Sequence, residues 1–129
     1  MACTLKVTVV LFLAAATLVS CHEVTDRPGA CKLSDIHVSV VRTGKTVSGH
    51  PEYHVTIDNK CSCAQASVRV RCGGLPSAEL VDESKIRAEN GGVCIVNDGK
   101  PIARGSPVKF NYAWNTQQSF APTMAVPHC

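Results

Sequence analysis

The chain has 129 residues, with thirteen Lys and Arg against ten Asp and Glu, and eight cysteines. That length suits one domain rather than two. A formal charge of +3 is too small to argue for nucleic acid or an acidic membrane surface as a partner.

The N-terminus reads MACTLKVTVVLFLAAATLVSCHEV, one lysine followed by a weakly polar-to-apolar run of thirteen residues, Val7 to Val19. A helix that spans a bilayer needs about 20 residues, whereas the apolar core of a secretory signal needs roughly 7 to 15. Residues 1–21 are therefore expected to be an export signal, cut after Val19-Ser20-Cys21 and before His22. The stretch Leu18–Cys21 also fits the pattern at which bacterial lipoproteins are acylated on cysteine. Parity favours cleavage after Cys21: Cys3 and Cys21 leave with the signal, and six cysteines stay, Cys31, Cys61, Cys63, Cys72, Cys94 and Cys129. An even number in a small exported domain argues for three disulfides. No later segment is apolar enough to span a membrane, so the product is expected outside the cell with no membrane insertion.

Residues 22–30, HEVTDRPGA, are polar and carry Pro-Gly, and are expected to form a flexible leader. Residues 31–129 then form a single disulfide-linked β domain. Their dominant period is two. In DIHVSVV, Ile36, Val38 and Val40 alternate with His37, Ser39 and Val41; in EYHVTID, Tyr53, Val55 and Ile57 alternate with His54 and Thr56. In ASVRVRC, Val68, Val70 and Cys72 share one face and Arg69 and Arg71 the other. In VKFNYAW, Val108, Phe110, Tyr112 and Trp114 alternate with Lys109, Asn111 and Ala113. Such alternation marks strands with one wet face.

Turn chemistry separates the runs. Thr43-Gly44 and Gly49 precede a strand expected to begin just after Pro51. Asn97-Asp98-Gly99 lies between two short apolar segments, where Asp-Gly suits the positive backbone angles of a tight hairpin. A short strand is expected around Glu79 to Val81, followed by a loop or one helical turn. The whole predicts an antiparallel β-sandwich of about six to eight strands stapled by disulfides, with Trp114 in the core.

Cys61, Cys63 and Cys72 fall within twelve residues, in NKCSCAQASVRVRC, and three chemistries compete for them. Structural zinc prefers two knuckle-spaced pairs of ligands, and no second pair exists. A reactive thiol wants a lowered pKa from a helix N-terminus or an adjacent cation, and alternation turns Arg69 and Arg71 away from Cys72. Disulfides are favoured. On a strand, Cys61 and Cys63 would point the same way with Cα atoms about 6.6 Å apart, a poor geometry for pairing with each other. Each is expected to reach a different partner. Cys129 then pins the tail and Cys31 the opposite end, but spacing does not choose among the pairings.

Other constellations are thin. His50, Glu52 and His54 fall at alternate positions and would share a sheet face, as a weak candidate for metal or acid–base work. Glu79, Asp82, Glu83 and Glu89 show no spacing that would set paired carboxylates. No phosphate loop, nucleophile elbow or zinc-protease helix occurs. The chain is expected not to be an enzyme and to need no cofactor or metal.

The order of motifs resembles the small secreted plant proteins of the tapetum-determinant family. The residues carrying it are LSDIHVSVVRTGKTVSGHPEYHVTIDNKCSC, VRVRCGG, ELVD, CIVNDGKPIARGSPVKFNYAW and the closing cysteine. One departure stands out. Family members typically have Phe and Ser after the third clustered cysteine, where CGGLPSAE has Gly74-Leu75 and an extra proline, so that loop is expected to have its own shape. The resemblance implies an extracellular (apoplastic) ligand of a leucine-rich-repeat receptor kinase, acting in anther cell-fate specification by forming the tapetum and limiting sporogenous cells. Under that reading Arg69, Arg71 and nearby Lys60 are the candidate receptor-binding residues. The alternative is a cell-wall carbohydrate-binding module, for which Tyr53, Tyr112 and Trp114 on apolar faces offer little platform.

Overall fold

In the computed structural model, residues 31–129 are described, so the expected signal (1–21) and leader (22–30) lie outside the described residues. Seven strands follow in chain order: β1 Ile36–Val47, β2 His50–Asn59, β3 Ala64–Arg71, β4 Ile86–Ala88, β5 Val93–Val96, β6 Val108–Ala113 and β7 Pro122–His128. They form two antiparallel sheets, ordered β1-β2-β6 and β4-β5-β3-β7.

The period-two alternation explains which side of each sheet is buried. Across the three-stranded sheet Val40 pairs with Val55 and Val55 with Phe110, while Tyr53 pairs with Tyr112 and Ile57 with Val108. These residues form one wall of the core, and Val68, Val70, Cys72, Ile86, Cys94 and Val96 form the other. Ile102 and Phe120, from the connections, fill the space between them. Phe120 meets Phe110 and Tyr112 edge-on at centroid distances of 5.6 and 5.4 Å, the arrangement their quadrupoles favour.

The turn between β1 and β2 is two residues, Ser48 and Gly49, both at positive φ (51° and 81°), as the right-handed strand twist requires of a tight hairpin. The ladder slips between Arg42 and Thr46, and Gly44 absorbs the bulge at φ 92°. The register resumes with Thr46 opposite Pro51, so Pro51 lies inside β2 and not before it.

Other expectations need correction. Glu79 to Val81 is not a strand; the strand of that region is β4, within the stretch expected to be loop or helical turn. Asn97-Asp98-Gly99 does turn through positive φ at 58°, 58° and 78°, but its flanks do not pair as a hairpin. Val96 pairs back to Ile86, and Ile102 bridges to Gln65. Trp114 lies beyond β6 and is half-buried, stacked on His50 at 5.0 Å. Its alternating position places it at the margin of the core because the strand ends one residue earlier.

Candidate functional site

Cys61 and Cys63 sit in the bend between β2 and β3 and not on a strand. Asn59 builds that bend. Wholly buried, its Nδ2 donates to the carbonyls of Cys63 (2.8 Å) and Ile102 (2.9 Å). Its Oδ1 accepts from the Cys61 amide (3.0 Å) and from Gln65 Nε2 (3.1 Å). Every side-chain hydrogen-bonding group of Asn59 is thus used within the protein, the condition for burying an amide without penalty. The bend that results aims the two sulfurs at different elements. Cys61 bonds Cys31 with Cα atoms 5.5 Å apart, and Cys63 bonds Cys129 at 5.0 Å. The start of the domain and its final residue are therefore stapled to one short turn.

The third bridge, Cys72–Cys94, joins the end of β3 to β5 and is wholly buried (Cα 5.8 Å). Sulfurs of Cys31, Cys63 and Cys129 lie within 4.8 Å of one another, as do ligand atoms of Cys31, Asp35 and Cys61. Those sulfurs are consumed in disulfides, which lack the thiolate charge a metal site needs.

The residues proposed for recognition separate. Arg69 lies on the outer face of the four-stranded sheet, in a row formed by Arg87, Ile95, Arg69 and Met124 across β4, β5, β3 and β7. Its Nε donates to Glu89 Oε1 at 2.8 Å, so its charge is matched locally. Arg87 is likewise held by Asp98 at 2.8 Å. Between them Ile95 is almost covered by the Asn97–Gly99 turn; a Cβ on Gly99 would come 3.2 Å from Ile95 Cδ1. Arg71 is exposed and, among the described residues, makes no salt bridge. Lys60 pairs with Asp58 at 3.1 Å beside the cysteine bend. From Ala64, just past that bend, to Arg69 is about 16 Å of strand. Lys60 thus belongs to the bend that precedes β3, and the arginines to the later half of that strand.

On β2, His50, Glu52 and His54 each have their own partner. His50 Nδ1 lies 2.5 Å from Asn115 Oδ1, His54 Nδ1 2.6 Å from Asn111 Oδ1, and Thr43 Oγ1 donates to Glu52 Oε1 at 2.6 Å. The missed feature is Glu79, a half-buried carboxyl whose ionisation is opposed by the charge of Glu52. Thr43's hydroxyl holds Glu52 below the ordinary glutamate range, against the effect of its burial; burial first, then the influence of Glu52, pushes Glu79 up. A carboxyl twenty-seven positions away in sequence leaves no spacing signal. The aromatic platform expected of a carbohydrate module is not built from Tyr53 or Tyr112, which are buried. Among the described residues, no helix is long and apolar enough to cross a membrane.

The family model "Tapetum determinant 1, C-terminal" matches residues 32–129. The chain is 35% identical over 92 residues to "TPD1 protein homolog 1A" of Oryza sativa subsp. japonica, covering 65% of this chain and 41% of that protein. It is 37% identical over 92 residues to "TPD1 protein homolog 1" of Arabidopsis thaliana, covering 69% and 51%. It is also 37% identical over 70 residues to an uncharacterized Arabidopsis thaliana protein, covering 52% and 54%. The chain thus spans about half the length of the curated relatives it matches. No solved structure matches it.

Proposed function

The chain belongs to the tapetum determinant 1 family, and from that premise we propose that it is a secreted, non-enzymatic ligand for the ectodomain of a leucine-rich-repeat receptor kinase. Its proposed role is anther cell-fate specification. The observation that carries this reading is the family match across residues 32–129, which takes in every strand and five of the six bridged cysteines, all but Cys31. The physics agrees. Three crosslinks and two sheets hold the outer surface in one shape before contact, which lowers the ordering cost of association. Oxidised cysteines also fit an extracellular site of action. Of the three residues proposed for recognition, Arg71 is the one that is exposed and makes no salt bridge among the described residues.

The test is capture. The full chain is expressed in a secreting eukaryotic host, its mature N-terminus and thiol content are read by mass spectrometry, and the product is offered to a panel of leucine-rich-repeat ectodomains. A saturable interaction, displaced by unlabelled ligand, is expected with at least one member. Binding to cell-wall polysaccharide with no ectodomain engaged would overturn the ligand reading.

A further inference from the structure

The two sheets end in four outer strands, β1 and β6 of one and β4 and β7 of the other. An outer strand whose main chain is left unpaired is a template for another chain. Three of the four are protected. β6 is covered by the loop that runs from Gly73 to Lys85 and carries the exposed Leu80: Ala113 N–H donates to Ser77 Oγ (3.1 Å), and Ala78 N–H donates to the Ala113 carbonyl (2.7 Å). β4 is only three residues long. β7 contains Pro122 and Pro127, which lack the N–H that an added strand would use. β1 has none of these devices over its first half. It is the longest strand, with twelve residues and no proline, and its bulge and Lys45 lie beyond Arg42.

One bond fixes which way its main chain points. The Asp35 carbonyl accepts from Lys60 N–H at 2.8 Å, one step outside the Ile36–Asn59 pair. Odd-numbered residues at the start of β1 therefore turn their main chain to β2, and alternation turns that of Val38, Val40 and Arg42 to the open side. Among the described residues, no hydrogen bond reaches the main chain of these three from outside the sheet, and β7 runs past this margin without bonding to it. The side chains are also incompletely covered. Val38 and Val40 pack against the core yet stay half-buried, because no strand lies beyond them. Val41, on the outer face, is 53% exposed.

We propose that β1 is a dimerisation edge, where a second copy of this chain adds its own β1 antiparallel across a two-fold axis at Ser39. Two three-stranded sheets then become one of six strands. Self-complementarity selects this occupant. The regular stretch Ile36–Arg42 has Ser39 at its midpoint. Pairing about that residue sets Val38 opposite Val40 of the second copy, His37 opposite Val41, and Ile36 opposite Arg42. Inner side chains meet inner ones, which completes the cover of the two valines, and no two like charges face each other. Ile36 N–H already donates to the Leu33 carbonyl, so the two strands exchange about six main-chain hydrogen bonds. The stretch is about 24 Å long and a sheet about 10 Å thick. About 500 Å² is therefore covered in total, the scale of a weak, reversible association. This dimer needs no receptor, so its absence would leave the ligand reading intact.

Crosslinking of the full-length secreted protein tests the edge and its register together. Across the axis, in a non-hydrogen-bonded pair, the two Ser39 Cα atoms lie about 4.5 Å apart, within the roughly 4.4–6.8 Å that a disulfide spans. The two Val41 Cα atoms, on the same face, stand four residues out of step, about 13 Å or more apart. Ser39→Cys is expected to form a covalent dimer under mild oxidation about tenfold or more faster than Val41→Cys, because pairing raises the local thiol concentration at the axis alone. Peptide mapping is expected to place the new bridge at position 39 of both copies. Arg42→Pro removes an outward N–H without touching the β2 ladder. In the Ser39→Cys background it is expected to abolish most of that advantage, with circular dichroism confirming the fold. Equal rates for Ser39→Cys and Val41→Cys would overturn the dimer whatever becomes of the proline variant. So would amide protection at Val38 and Val40 that appears only when a receptor ectodomain is added, which would give the edge to that partner.

Discussion

The longest and the shortest loops of the cysteine network rank differently by entropy and by burial, and the difference is measurable. Cys72 and Cys94 close 22 residues and Cys63 and Cys129 close 66. Loop entropy alone gives about 3.4 kcal/mol for the first and about 4.3 for the second. The shorter loop lies inside the longer one and leaves about 44 free residues, which lowers both values by the same amount, to about 3.0 and about 4.0 kcal/mol. On this ground the tail staple matters more. Burial reverses the order. Cys72 and Cys94 are both wholly buried, whereas Cys129 is exposed and Cys63 half-buried. Deleting a buried sulfur leaves a void about the size of a methyl group, costing about 1 kcal/mol each. The double variant Cys72→Ala/Cys94→Ala is therefore expected to lose about 5.0 kcal/mol in all, and Cys63→Ala/Cys129→Ala about 4.0. At urea slopes of about 1–2 kcal/mol/M this separates the two midpoints by roughly 0.5–1.0 M. Chemical denaturation followed by tryptophan fluorescence reads it, using Trp114. A Cys63→Ala/Cys129→Ala midpoint at or below that of Cys72→Ala/Cys94→Ala would show that loop entropy, not burial, ranks these bridges.

Asn59→Asp replaces two donors with acceptors facing the Cys63 and Ile102 carbonyls, and is expected to cost about 3 kcal/mol or more at neutral pH; a thermal melt within a degree or two of the natural protein would contradict this. Phe120→Ala, at a wholly buried ring in contact with Phe110 and Tyr112, should cost about 3–5 kcal/mol, seen as a lowered denaturant midpoint with an unchanged slope. Arg71→Glu is expected to weaken ectodomain binding with stability altered by less than about 0.5 kcal/mol, while Arg69→Glu additionally sets a carboxylate against Glu89 and loses stability. Equal affinity of a folded Arg69→Glu/Arg71→Glu protein in a titration would remove that face from recognition.

The parts of the fold legible in the sequence are those governed by period two. Val55, Ile57, Phe110 and Tyr112 face inward on paired strands because a slip of one residue would turn all of them to water. The six cysteines of residues 31–129 pair into three bridges, and the two bend cysteines reach different partners, as their close spacing implied. Where the backbone leaves regular structure, that logic fails. Ser67, at φ 53°, inserts a bulge into β3. The bend at Cys61–Cys63 follows from four hydrogen bonds on one asparagine, and the position of Glu79 follows from a serine hydroxyl docked on a strand edge. Such side-chain-to-backbone bonds carry no periodic signal. The basic stripe was legible as a face, because Arg69 and Arg71 do share one side of β3, but not as a charge, because Glu89 arrives from a separate connection.

Placement of the staples bears on where recognition can occur. Two bridges meet at the Asn59–Gln65 bend and fix the start and finish of the domain there. A bridge stabilises chiefly by restricting the unfolded chain, so it contributes the same whether or not a partner is bound. The loop carrying Leu80 lies within the chain closed by Cys72–Cys94 but holds no cysteine of its own, and it is held to the sheet by hydrogen bonds of ordinary, reversible strength. Local opening draws on the least stable elements of a structure. Any adjustment on meeting a partner should therefore be concentrated between Gly73 and Lys85, with the crosslinked bend unchanged. Hydrogen exchange in complex with an ectodomain distinguishes the two: protection gained at Ala78 and Ala113 but not at Cys61 would place the contact at the loop, and the reverse pattern would move it to the stapled end.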